Sequence, residues 1–236
     1  MLLALAFVGF CALGVWQVQR LHWKHALIAR VESRIHAGPV RAPGHDRWRE
    51  ITAEGDEYRR VFAEGRFLQG LDTRVQALTE LGSGSWILTP LQTVSGDILL
   101  INRGFVPVDE VPAAPPAGYV RIEGLLRVDE PGGTWLRRNR PAQGRWYSRD
   151  TAAIARARGL NRAAPYFIDA DAADAAWPRG GMTVVHFRDA HLQYAMTWFA
   201  LALLTLFAAW SLMSGERRLR HHGRDDQTVP PHDRRH

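Results

Sequence analysis

His191-Leu192-Gln193-Tyr194-Ala195-Met196-Thr197-Trp198-Phe199 opens the run that decides the architecture. From Leu192 to Met213 no residue is charged, and these 22 residues, at about 1.5 Å each, make roughly 33 Å of helix. That length crosses a hydrocarbon core of about 30 Å with little tilt, so 191–213 reads as a transmembrane helix. His191 stands at its mouth. A neutral imidazole there can ligate a metal through one ring nitrogen while the other donates a hydrogen bond. The plainer reading is an interfacial side chain reaching toward headgroups, and the residue types alone leave both readings open.

A second uncharged run, Leu2 to Val18, is 17 residues long, at the short end of the spanning range. No basic segment precedes it and no Ala-x-Ala site follows; it continues into Arg20 and Lys24, so 1–19 reads as an uncleaved transmembrane helix. Leu21, Leu27, Ile28, Val31 and Ile35 keep helical spacing, extending it over 20–37 until Gly38-Pro39. His22 and His25 share a face of that extension, suited to headgroup contacts or to approaching a ligand near the membrane. The one cysteine, Cys11, lies in this first run and follows a bulky Phe10, so it reads as a small apolar residue. The rest of the chain has no disulfide to stabilise it and must rely on packing.

Two spans place both termini on one side of a membrane and the domain 20–190 on the other. Arg217, Arg218, Arg220 and Arg224 favour a cytoplasmic C-terminus, while Arg20, Lys24, Arg30 and Arg34 argue the other way. Long loops translocate largely regardless of charge, so the C-terminal flank carries more weight and the large domain is placed outside the cytoplasm. The net charge is +6, but the basic residues are scattered and accompany no nucleic-acid recognition motif. Membrane lipid, not nucleic acid, is the partner that this charge implies. The tail 214–236 is rich in Arg, His, Asp and Pro and reads as a disordered basic segment, with His221-His222 as solvated residues of it.

Between the spans, strand-like runs occupy Arg60 to Leu68, Arg74 to Leu78, Ser85 to Val94, Ile98 to Phe105, Tyr119 to Val128 and Met182 to Phe187. Short connections predict hairpins at 70–73 and 95–97. The excursion from Thr134 to Trp177 carries one helix, Asp150 to Arg158, capped by Asp150 or Thr151 and ended by Gly159. The fold class that results is a membrane protein with two transmembrane α-helices flanking an α+β extramembrane domain dominated by antiparallel sheet.

Motifs for chemistry are sparse. Gly82-Ser83-Gly84-Ser85 lacks the lysine and the following helix of a phosphate loop, and no zinc spacing or serine elbow occurs. Enzyme action is unsupported by these motifs rather than excluded, and the chain is expected to be a protein other than an enzyme. Arg103, in Asn102-Arg103-Gly104-Phe105-Val106-Pro107, is either the anchor of a partner site or a clamp on turn carbonyls.

Several words taken together are more specific. Leu13-Gly14-Val15-Trp16-Gln17-Val18-Gln19-Arg20, Gly65-Arg66-Phe67, Gly82 to Leu91, Asn102 to Pro107, Asn139-Arg140-Pro141, Trp146 to Asp150, Pro165 to Asp169, and Gly180 to Thr183 with His191 to Phe199 occur in one order along the chain. In that order the chain closely resembles the SURF1 family of cytochrome c oxidase assembly proteins. The chain starts directly in apolar sequence, where family members usually carry a short, often basic segment.

The resemblance implies a bacterial inner-membrane (cell membrane) protein with its large domain in the periplasm and both termini cytoplasmic. It implies a role in respiratory-chain biogenesis: maturing the haem-copper oxidase, binding haem a and aiding its insertion into oxidase subunit I. The implied partners are that subunit and the haem a biosynthesis machinery, and His191 corresponds to the family's haem-linked histidine. On a helix, Tyr194, Ala195, Trp198 and Ala202 follow His191 along one face. His191 is accordingly expected to be the axial ligand of haem iron, with Ala195 leaving room for the macrocycle, Trp198 as an aromatic wall and Tyr194 offering a hydroxyl. For Tyr194 and Trp198 an interfacial aromatic belt and packing against the first span are the alternative. Arg188, Arg20 and Lys24 are the near cations for propionates. The competing functional class is a haem-independent chaperone, a membrane scaffold that stabilises an oxidase subunit during assembly.

Overall fold

The computed structural model describes residues 1–133, 136–172, 176–182 and 191–225. These fall into two compact units, a helical one from residues 1–28 and the C-terminal helix, and a domain formed by 29–185.

The helical unit holds the two apolar runs. Helix α1 spans Leu2–Ile35 and α4 spans His191–Asp225, and both are long and apolar enough to cross a membrane. α1 ends shortly before Gly38-Pro39, with His36 still donating its amide to Glu32 at 3.2 Å. α4 continues past Met213, so residues 214–225 of the tail expected to be disordered are helical. Glu216-Arg217-Arg218-Leu219-Arg220 are all strong helix formers, which accounts for the continuation. The rest of the tail, 226–236, lies outside the described residues.

The pair packs through small residues. Gly14 is buried on α1, and a Cβ there would sit 2.6 Å from the Phe199 ring of α4. One turn earlier Phe10 stacks on Trp198 with ring centroids 5.8 Å apart. Ala195 and Ala202, seven residues apart on α4, are 2% and 3% exposed, and Gln17 of α1 is buried. In an apolar solvent, close approach of small residues is the main source of helix pairing, which is why Gly14 and the two alanines occupy the contact.

The domain begins with β1 (Val40–Arg41), a 3-10 turn over His45–Glu50 and a short helix α2 (Ala53–Asp56). Strands β2 (Arg60–Phe67), β3 (Thr73–Thr79), β4 (Gly82–Thr93), β5 (Ile98–Pro107) and β6 (Tyr119–Val128) follow. Helix α3 (Thr151–Ala157) and β7 (Ala163–Ala170) complete it. The strand order is β1-β2-β6-β7-β5-β4-β3, with an additional β2–β4 pairing. That pairing closes β2, β6, β7, β5 and β4 into a five-stranded barrel. Pairing is antiparallel except for β1–β2 and β5–β7.

Closure rests on three residue pairs, Gly65 to Thr93, Arg66 to Gln92 and Phe67 to Leu91. Gly65 is required there because a Cβ would lie 2.2 Å from the Gln92 carbonyl oxygen. The hairpin expected at 70–73 does not form. β3 pairs with β4 beyond the stretch that β2 uses, so the chain bulges out at Gly70, where φ is +74°, and resumes along the same neighbour. The 95–97 hairpin does form, its turn fastened by the Thr93 amide donating to Asp97 O at 2.9 Å.

Alternation along the strands sorts the core. Val61, Leu99, Ile101, Leu126, Tyr166 and Ile168 fill the barrel, and the Tyr166 hydroxyl donates to Pro43 O at 2.7 Å. Leu100 and Phe167, with the opposite parity, face outward and are covered by Ile154 of α3 and by Trp146. α3 is fixed where the sequence places it, with Asp150 accepting from the Ala153 amide at 2.8 Å and Gly159 at φ +66° after its end. Strand β7 was not among the expected strands. It is buried on both faces, so Pro165-Tyr166-Phe167-Ile168-Asp169 lacks the polar alternation that marks the others. The strand expected from Met182 to Phe187 lies, from residue 183 on, outside the described residues.

Candidate functional site

Residues of one parity on β5, β6 and β7 bring polar groups to the outer wall of the barrel. Asn102 is the β5 register partner of Asp169, and Arg127 lies two residues beyond Leu125, the β6 partner of Asp169. Asn102 donates its amide to Asp169 Oδ1 at 2.7 Å, and its own Oδ1 accepts from the Gly104 amide at 3.2 Å. Arg127 donates to Asp169 Oδ2 and to Glu57 Oε1, both at 3.1 Å. Arg149 donates to Glu130 at 2.6 Å and reaches Asp169 Oδ1 at 3.4 Å.

The two guanidinium planes also cover aromatic faces, Arg127 over Tyr58 at 4.8 Å and Arg149 over Phe167 at 4.7 Å. Side-chain exposure is 7% for Asp169, 14% for Arg127 and 15% for Arg149, so these are desolvated charges whose mutual pairing is what makes their burial tolerable. Burial alone would pull the Arg127 guanidinium down, but Asp169, Tyr58 and Glu57 carry it above its ordinary value. Burial likewise opposes ionisation of Glu130, yet the hydrogen bonds and charge of Arg149 hold it below the usual carboxylate range.

The loop before α3 is built to aim Arg149. Asn139 Oδ1 accepts from the amides of Tyr147 and Ser148 at 2.8 and 3.2 Å, and the Ser148 hydroxyl donates to Glu130 O at 2.7 Å. Asp129, in the same loop, is pushed up by burial while it accepts from the Thr151 amide at 2.5 Å. Gly104, at φ +129°, lets the 179–180 backbone pass 2.1 Å from where its Cβ would stand. The network borders an open cavity of about 440 Å³ whose apolar lining includes Trp86, Leu78 and Met182.

The sequence words Asn102 to Pro107, Trp146 to Asp150 and Pro165 to Asp169 thus meet at one point. Arg127, Glu130 and Glu57 carry no signal in the sequence, since nothing in their spacing ties them to Asp169. Arg103 clamps a turn carbonyl, donating from Nη2 to Ala113 O at 2.7 Å. Among the described residues, no group of three or more His, Cys, Asp or Glu is arranged to hold a metal ion.

In the helical unit, His191 is the first residue of α4, and its side chain lies outside the described part. Tyr194 is 56% exposed. Trp198 is engaged with Phe10, the packing role that the sequence offered as an alternative. Ala195 is buried, so the space beside it is filled and not left for a macrocycle. Arg20 lies 4.1 Å from the centroid of the Trp23 ring, and Arg188 lies outside the described residues.

Fold and site together define a class: a two-span membrane protein carrying a small closed barrel with an arginine–carboxylate network on its wall. A SURF1 family model matches residues 4–203. The chain is 35% identical over 219 residues to human Surfeit locus protein 1, covering 83% of this chain and 71% of that one. It is 34% identical over 218 residues to the mouse Surfeit locus protein 1, covering 83% and 69%. A SURF1-like protein of Monosiga brevicollis is 33% identical over 230 residues, covering 89% and 84%. The chain belongs to the SURF1 family.

Proposed function

We propose that this protein is a haem-copper oxidase assembly factor that binds haem a in the membrane through His191 and aids its insertion into oxidase subunit I. The observation that carries this reading is the family match, which extends over residues 4–203 and takes in His191 and the start of α4. The chemistry of the donor set suits the cargo, because imidazole is a strong axial donor to haem iron. Tyr194, three residues on from His191 along the helix and 56% exposed, offers a ring and one hydroxyl to a flat macrocycle. Trp198 serves by holding α4 to α1 through Phe10, which positions that surface.

One strong axial ligand with few others suits release as well as capture. The domain belongs in the periplasm of a bacterial cell, with both termini cytoplasmic, and its barrel is the part available to an oxidase subunit. Absorption spectroscopy of the protein purified from a haem a-producing host tests the proposal. A haem a spectrum at near-stoichiometric amount is expected, and haem-free protein from such a host argues for the scaffold reading instead.

A further inference from the structure

The inward parity of β5 that places Leu99 and Ile101 in the barrel core places Arg103 at its mouth. Phe67 of β2 and Ile122 of β6 line the same opening, and the segments 113–116 and 176–178 roof it, joined by the Ala113 amide donating to Trp177 O at 2.8 Å. The result is an open cleft of about 450 Å³ with mostly apolar walls, distinct from the cavity beside Asp169.

Arg103 is incompletely used in it. Nη2 is fastened to Ala113 O, and the guanidinium lies 6.0 Å from the Phe67 ring centroid. Nη1 is buried and has no hydrogen-bond partner among the described residues. The carboxylates at the rim are committed elsewhere, Glu123 to Arg121 at 3.0 Å and Asp171 to Arg60. Burial pulls the Arg103 guanidinium down, with Asp72 the one charge opposing it. An incompletely paired guanidinium lining an apolar cleft is complementary to one anionic acceptor attached to an apolar body. Phosphate or another small polyanion would meet mostly apolar walls here, beside the rim carboxylates Glu123 and Asp171.

We propose that the barrel mouth is a binding site for an amphiphilic carboxylate, the Arg103 guanidinium pairing with the carboxylate and Phe67, Ile122 and Trp177 enclosing the apolar part. The site is independent of His191 and of the haem reading. Octanoate, labelled with 13C at the carboxyl carbon, is the probe, titrated by NMR against the full chain in lipid nanodiscs, with octanol, inorganic phosphate and empty nanodiscs in parallel. Octanoate is expected to bind saturably and at least tenfold more tightly than octanol or phosphate. Arg103→Gln is expected to weaken it at least tenfold. Ala114→Trp, which fills the cleft from an exposed lining position, is expected to abolish binding while leaving the unfolding transition in place. Equal affinity for octanoate and octanol, uptake matching empty nanodiscs, or full binding by folded Ala114→Trp would each overturn the site.

Discussion

Asn102 and Asp169 are 67 residues apart in sequence, yet they are register partners on parallel strands and share a 2.7 Å hydrogen bond on the outer wall of the barrel. Asp169 also accepts from Arg127 and lies within reach of Arg149, so one carboxylate joins strands β5, β6 and β7 to the loop before α3.

Removing that carboxylate leaves two buried guanidinium groups short of a counter-charge. Asp169→Ala is expected to destabilise the protein by about 3–5 kcal/mol, whereas Glu50→Ala, which breaks the exposed Arg47 pair, is expected to change stability by less than about 1 kcal/mol. Urea unfolding midpoints in detergent measure both. Similar small shifts for the two variants would refute a structural role for the network.

Acid should weaken the same region. Glu130 has its native pKa held below its ordinary 4.5, so as pH falls the unfolded chain takes up the proton first. Its contribution is full above the ordinary carboxylate range and is lost as pH falls through 4.5 toward the native value. Glu130→Gln is expected to flatten this part of the acid limb of stability against pH, and an unchanged slope would rule out Glu130 as its source.

Barrel closure depends on a missing side chain. Gly65→Ala puts a methyl 2.2 Å from the Gln92 oxygen and is expected to cost about 1–3 kcal/mol, with faster amide exchange at Gly65 to Phe67 and Leu91 to Thr93. Native protection at these amides in a folded variant would show that the β2–β4 seam tolerates the change.

Much of this architecture was legible in residue patterns. Charge-free runs marked both helices, turn residues marked most strands, and Asp150 with Gly159 bounded α3. The ring was not legible, because its closure is three pairs long and β3 resumes beside β4 where a hairpin was expected. β7 escaped because burial on both faces removes the period-two signal. The site was half visible. Asn102, Arg149 and Asp169 lie in distinctive sequence motifs, but their meeting depends on the parallel β5–β7 register, and Arg127 and Glu57 carry no local signal at all.

Trp198, which packs on Phe10, and His191, the proposed haem ligand, lie on the same helix and allow packing and ligation to be tested separately. Haem content of the purified protein, compared with His191→Ala and Trp198→Phe expressed in the same haem a-producing host, is the most direct test. Trp198→Phe keeps an aromatic partner for Phe10 and is expected to retain haem, while His191→Ala is expected to lose it. Equal haem with an unchanged absorption spectrum in His191→Ala would contradict ligation by His191.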